Sequence, residues 1–463
     1  MKLTRDQVSD NTTRMPTLRF TEEARLSRFG GLMLLRHLFG ALSLRRRLDS
    51  AVPTSDDTAF THGGVLLLLV TMLMLGFRRL SDVRWMRGDV LIRGLLGWTQ
   101  LPSSATISRC LSSMTASSVD QLRVLSRDLA LDMLRQLAPA SVTVDFDGVV
   151  QSTTGHAEGT AVGFNKKKRG ARSYWPLFAT VDVPGLFLDV LHRPGNVHDS
   201  NGAGPFMRSC LQAVQAALPG AQLASRMDAA FFDHELLAQF NELKVTFTCS
   251  VPFARFPALK ACVEQCTIWQ TAEGQSATSS TQWAYAECLF LPKSWRASNR
   301  NFRFILVRQR KPVQRKGPIQ LDLFEPHDVE FEFTVIVTND WNNSMVSIVE
   351  FHHGRGRQEK LFGDAQQDAA LGRIATTTLR GNQTFTLASM MAHNLSRELQ
   401  RHAPKDPRSG SARRRLKTLR QRWFELPARL TFPQRRALLT VHATPSVGVE
   451  IAATIASITR QAA

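Results

Sequence analysis

The sequence is short of acidic residues, of paired cysteines and of long apolar runs, and each shortage excludes something. Only 39 Asp and Glu stand against 58 Lys and Arg, a formal charge of +19. That excess destabilises a compact chain by self-repulsion unless a polyanion neutralises it, so nucleic acid is the partner the composition favours and a membrane surface is the rival. The longest apolar run, Val65 to Phe77, falls well short of the ~20 residues that span a bilayer. Six cysteines, at 110, 210, 249, 262, 266 and 288, include no CxxC pair, which excludes a disulfide framework. Cys262 and Cys266 have the i, i+4 spacing of zinc ligands, but no second Cys or His pair follows at finger spacing, so buried thiols are the competing reading. No repeat or low-complexity tract is present, and the N-terminus lacks a basic-then-apolar leader pattern.

What is there is ample for folding: 463 residues with 43% hydrophobic content can supply a sizeable core and two to four domains. Residues 1–140 show helical periodicity through 31–44, 65–80, 90–96 and 119–137. Within them "LPSSATISRCLSSM" reads as a turn and cap at Pro102, Ser103 and Ser104, followed by a short helix from Thr106 to Met114 carrying Arg109. A helix-turn-helix DNA reader and an ordinary bundle helix suit it equally.

From Ser141 the period changes to the alternation of a strand in "VTVDFDGVV". Strand-like runs at 174–182 and 186–193 follow, then a helix near 201–217, a strand ending at Asp228, a helix near 232–242 and the strand "VTFTCSV". The order βββαβαβ is that of a ribonuclease H-like α/β core. Residues 251–345 read as a β-rich insertion, and helices resume near Val349 and at 384–400. Residues 401–436 hold 12 Lys and Arg against 2 Asp and Glu, about half the net charge. The expected organisation is a helical DNA-binding region at 1–140, the first part of the core at 141–250, the insertion at 251–345, the core's completion at 346–400 and a basic helical region at 401–463.

Three acidic residues suit phosphodiester chemistry. Cleavage requires an activated water or 3′-hydroxyl and a stabilised leaving oxyanion, and two Mg²⁺ ions roughly 4 Å apart perform both tasks. Such ions take oxygen ligands and need only a few carboxylates. Asp147 on the first strand, Asp228 ending the fourth and Glu359 after the insertion are separated by 81 and 131 residues. An ionised Asp in an apolar strand is costly without a partner or a metal. Asp145 shares a strand face with Asp147 and competes with it as the ligand. Glu359, by composition alone, reads as a surface residue.

From about Thr143 to Leu399 the sequence resembles the DDE-domain group 1 transposases of bacterial insertion sequences. The resemblance is carried by "DFDGVVQSTTGHAEGTAVGFNKKKRGARSYWPLFAT", "RPGNVHDSNGA", "MDAAFFDHELL", "FHHGRGRQEKLFGDAQQDAALGRI" and "MAHNL". It implies that Asp147, Asp228 and Glu359 are the catalytic and metal-binding carboxylates and that Arg355, four residues before the glutamate, contacts DNA near the cut. Three positions depart from the family signature: Gly148 replaces Ser or Thr, His352 replaces tyrosine, and Gln366 replaces lysine. Losing that lysine implies either one weakened phosphate contact and reduced activity or the same contact supplied by Lys360.

Further DNA contacts are expected from Lys166, Lys167, Lys168 and Arg169, four adjacent cations suited to phosphates rather than bases. Trp295, among Lys293, Arg296, Arg300 and Arg303, reads either as a protruding base-stacking aromatic or as a core tryptophan. His198 and Asp199 read as supports of the metal site or as turn residues, and the adjacent His352 and His353 point too far apart to share a metal.

The reading implied is a cytoplasmic, nucleoid-associated transposase that binds double-stranded transposon ends and target DNA. It works as a homodimer in the synaptic complex, outside any membrane, with two Mg²⁺ ions, Mn²⁺ being able to replace them. The freed 3′-hydroxyl attacks either the opposite strand, giving a hairpin, or the target. The alternatives are a catalytically impaired DNA-binding regulator descended from such an enzyme and a stand-alone metal-dependent nuclease.

Overall fold

The computed structural model describes residues 25–54, 58–163, 165, 168–197, 201–271, 283–293, 295, 302–310, 331–404 and 414–462. After the two-residue strand β1 (Leu26–Ser27), the N-terminal region is a helical bundle: α1 (Leu32–Ala41), α2 (Leu44–Ala51), α3 (His62–Met74), α4 (Val90–Leu96), α5 (Ser104–Ser112) and α6 (Ala116–Leu137). Helix α3 is apolar all round, and every residue after His62 is buried. A 13-residue helix of that kind is the bundle's centre rather than a membrane span, and no described helix is long and apolar enough to cross a membrane. Thr61 caps it, accepting a hydrogen bond from Gly64 N at 3.1 Å.

The core begins with β2 (Ser141–Gly148). A side sheet of three short strands, β3 (Gln151–Ser152), β4 (Ala161–Val162) and β5 (Arg172–Tyr174), stands beside it, and then come β6 (Leu177–Val181), β7 (Leu186–Leu191), α7 (Ala203–Ala217), β8 (Gln222–Met227), α8 (His234–Glu242) and β9 (Thr246–Ser250). Strands β6 and β7 pair antiparallel beside β2, whereas β8 and β9 pair parallel on its other side. The spatial order is β7-β6-β2-β8-β9. This is the ribonuclease H-like arrangement, an antiparallel meander leading into parallel strands reached through helical crossovers.

The β-rich stretch after residue 250 does not stand apart from this sheet. Beyond helix α9 (Pro257–Gln265), strands β10 (Gln270–Thr271), β11 (Trp283–Cys288), β12 (Arg303–Arg310) and β13 (Phe331–Thr338) continue it, β13 pairing antiparallel with β9. The result is one nine-stranded sheet.

Helices α10 (Met345–His353) and α11 (Gly356–Asp368) follow, where the sequence suggests one long helix, and then α12 (Leu379–Arg401). Helix α12 is buried along nearly its whole length between the bundle and the sheet. Its Asn394 side chain bonds the Phe187 N–H at 2.9 Å and the Phe187 carbonyl at 2.7 Å. That clasp satisfies backbone groups on the edge strand β7, which otherwise present a template for another chain.

The C-terminal region departs from the helical expectation for residues 401–463. Between the short α13 (Leu416–Leu419) and α14 (Pro445–Ala462) lies a hairpin, β14 (Ala428–Thr431) and β15 (Leu438–Val441), paired with β1 from the other end of the chain. Much of its basic charge is engaged internally. Arg414 and Arg422 both bind Glu450, Arg415 binds Asp368 at 3.1 Å, and buried Arg420 donates to the Leu73 and Met74 carbonyls at 2.7 Å.

Candidate active site

The sheet brings two carboxylates to the C-terminal ends of neighbouring strands. Parallel β2 and β8 pair Asp145 with Arg226 as the last residues in register, so Asp147 stands two residues on near the end of β2 and Asp228 just past the end of β8. Neighbouring strands run about 4.8 Å apart, and side chains two residues apart share a face. Asp228 keeps an extended backbone (φ −87°, ψ 179°) and caps the next turn, accepting from Ala230 N at 3.0 Å. Both aspartates are partly open to solvent. Asp147 Oδ1 accepts from Gly148 N at 2.8 Å.

Asp145 behaves differently. It is 1% exposed and bound twice by Arg226, Nε to Oδ1 at 2.9 Å and Nη2 to Oδ2 at 2.6 Å. Burial raises its pKa, against the pull of Arg226. Arg226 also reaches Asp182 at 3.0 Å and donates to the Phe351 carbonyl at 3.3 Å. Burial alone would depress its charge, but the bonds to Asp145 and the neighbouring Asp182 outweigh burial and raise its pKa.

The helices after the insertion are tied to this floor from several directions. Buried His352 on α10 makes ring-nitrogen hydrogen bonds with Ser250 Oγ (2.9 Å) and Thr248 Oγ1 (3.0 Å) on β9. Its pKa is pushed down to about 3, first by burial and then by the charge of Arg355. On α11, Arg357 binds Asp182 at 2.6 Å and Gln358 donates to Thr180 Oγ1 at 2.9 Å. Arg355, capping α11, reaches Asp147 Oδ2 at 3.4 Å. Glu359 follows four residues later, on the same helical face and one turn along. Its side chain and that of Lys360 are exposed.

Among the described residues, no three His, Cys, Asp or Glu side chains converge closely enough to hold a metal ion together. In this conformation the partner of Asp147 is Arg355 rather than a third carboxylate. The donor chemistry nonetheless fits a hard divalent cation: two partly open aspartates lie on adjacent strand ends, with an exposed glutamate on the helix above.

The other expected residues scatter. Arg109 faces solvent on α5, a helix that starts at Ser104 and is capped by Ser103, which accepts from Thr106 N at 3.1 Å. Lys168 and Arg169 are exposed in the turn before β5, whereas Lys166, Lys167, His198, Asp199, Arg296 and Arg300 lie outside the described residues. Trp295 does not protrude. It is 6% exposed and packs on Phe232 and His234 at 5.0 Å and edge-on to Phe302 at 5.8 Å, because a large aromatic gains more from this pocket than from water. Cys262 and Cys266 are free thiols, with Cys288 beside Cys262 and pushed up to about 12 by burial and that neighbour.

Sequence reasoning missed Arg226 and Asp182. The motif flanking Asp228 contains Arg226, but its partners lie 81 and 44 residues away in sequence.

Residues 17–463 match the family model described as transposase DDE domain, group 1. Among solved structures, the chain is similar to the piggyBac transposase synaptic complex with hairpin DNA, with a TM-score of 0.44 and 10% sequence identity, covering 84% of this chain and 78% of that one. No curated protein matches.

Proposed function

Because the chain belongs to the transposases with a group 1 DDE domain, we propose that it binds the two ends of an insertion sequence and cuts and rejoins DNA there. The observation that carries this reading is that Asp147 and Asp228 stand at the C-terminal ends of the neighbouring strands β2 and β8, with Arg355 at the start of α11 reaching Asp147. Asp147, Asp228 and Glu359 are the residues that would hold divalent cations. Asp145 is already neutralised by Arg226, which supports Asp147 as the ligand. Bound there, Mg²⁺ would supply Lewis-acid stabilisation of charge on the attacking and leaving oxygens, and Mn²⁺ has the same preference for oxygen ligands.

The chain's own residues do the positioning. Arg355 is a planar donor beside Asp147, suited to a phosphate oxygen once cations neutralise the carboxylates. The Arg226 cluster and the His352 bonds fix α10 and α11 against the strands, so that Glu359 is presented from a rigid element. No side-chain nucleophile is required: water cuts, and the freed 3′-hydroxyl attacks the opposite strand or target DNA. Joining two ends in one complex calls for two copies of the chain.

The test uses purified protein, Mg²⁺ and duplexes with and without the ends that bracket the gene. End-specific nicking and strand joining are the expected result. Retention of end DNA without nicking would identify a regulator, and cutting of both duplexes without joining would identify a nuclease.

A further inference from the structure

Beside Gly148, one residue beyond Asp147, opens a cleft of about 800 Å³. Arg78 from the helical bundle, Lys168 from the turn before β5 and Arg373 from the segment after α11 all line it. Hydroxyl side chains of Ser152, Thr153 and Thr154 complete much of the wall, and no described lining residue is acidic. Three separate parts of the chain therefore bring positive charge to one cavity.

The Arg78 side chain and the Lys168 backbone are held there by neutral acceptors. Arg78 Nη2 donates to the Gln366 carbonyl at 2.9 Å, a neutral acceptor. Asn165 Oδ1 accepts from Lys168 N at 3.0 Å, fixing the turn through its backbone. Asp82, outside the lining, accepts from the backbone N–H groups of Arg78 and Arg79 at 3.0 and 2.8 Å. Burial lowers the Arg373 pKa, the like charges of Arg79 and Arg78 lower it further, and the Asp82 carboxylate offsets this only in part. Crowded cations of this kind are stabilised by an anion, and hydroxyl donors with guanidinium groups match the tetrahedral oxygens of a phosphate.

We propose that Arg78, Lys168 and Arg373 form a DNA-backbone subsite in which each cation takes its own phosphate, beside the phosphate being cut. The inference rests on the reading of this chain as a DNA transposase. It also gives the helical bundle a direct hold on DNA beside the proposed catalytic carboxylates, through Arg78.

Each phosphate contact steepens the dependence of log affinity on log salt by about 0.9. The experiment measures binding of a fluorescent 30-base-pair duplex across a salt series. Arg78→Ala with Arg373→Ala is expected to flatten the wild-type slope by about 1.8, and Lys168→Ala by about 0.9 more. Arg135→Ala, a charge loss on the far end of α6, should leave the slope unchanged. Gln366 lines the same cleft, so Gln366→Lys added to the double variant should recover about 0.9, which a misfolded protein would not do. Wild-type slope in the double variant overturns the subsite and leaves the transposase reading standing. Absence of salt-dependent DNA binding by the wild-type protein overturns both.

Discussion

Arg226 and Asp145 face each other across β8 and β2 as a doubly bonded ion pair in which each side chain is 1% exposed. The pair comes two residues before Asp147 and Asp228, the aspartates proposed for catalysis, and Arg226 extends it to Asp182 and to the backbone of α10. A buried pair adds little net stability over an apolar substitute, but removing one member strands the other's charge, at a cost of about 3–5 kcal/mol. Arg226→Ala should therefore lower stability by about that amount in urea denaturation, and Arg226→Met with Asp145→Leu by less than either single change. A loss under about 1 kcal/mol for Arg226→Ala would show that the pair is not closed in solution.

Gly354 follows from the same cluster. A Cβ there would meet Arg226 Nη1 at 2.1 Å and the Phe351 carbonyl at 3.0 Å. Alanine is the better helix former by about 1 kcal/mol, yet Gly354→Ala should destabilise by roughly 1–3 kcal/mol because the guanidinium has nowhere to go. In an Arg226→Met background the penalty should shrink, and a double-mutant cycle measures that coupling. Equal penalties in both backgrounds would contradict it.

His352 makes stability depend on pH. Its folded pKa of about 3 lies below the ordinary 6.5, so between those values the unfolded chain binds a proton that the folded one does not. The contribution is present above about pH 6.5 and is lost as pH falls toward 3. Between pH 7 and pH 5 the wild-type protein should lose about 2 kcal/mol more than His352→Asn, as read from denaturation midpoints. Parallel losses would mean that the imidazole is not held neutral.

Trp295 is a packing residue in this structure. Truncation to alanine should cost about 3–5 kcal/mol, while Trp295→Phe should keep both fold and DNA affinity. A stable Trp295→Phe protein that had lost DNA-end processing would restore the base-stacking role.

The core was legible because β2 alternates and β6 and β7 are short apolar runs bounded by turn residues, and chain order then restricts the sheet to few topologies. Asp228 at a strand end could be seen because "AQLASRM" runs out there. What escaped depended on partners distant in sequence. The hairpin at 428–441 is built from four-residue strands and is completed by residues 26–27, so neither half announces itself locally. The basic stretch at 401–436 looked like free charge, but Arg414, Arg415, Arg420 and Arg422 find carboxylates or carbonyls only once the chain has folded. For the same reason composition left Asp145 and Asp147 open; the residue that pairs with Asp145, Arg226, sits on another strand.

The central claim is that Asp147, Asp228 and Glu359 bind the catalytic cations directly, and exchanging each in turn for cysteine tests it. Thiolates favour softer metals over Mg²⁺. Each variant should lose about a thousandfold or more of its end-cleavage rate in Mg²⁺, the scale for removing a group that stabilises developing charge, and regain part of it in Mn²⁺ while retaining DNA. Glu359→Cys cleaving in Mg²⁺ as fast as the wild-type protein would contradict the claim.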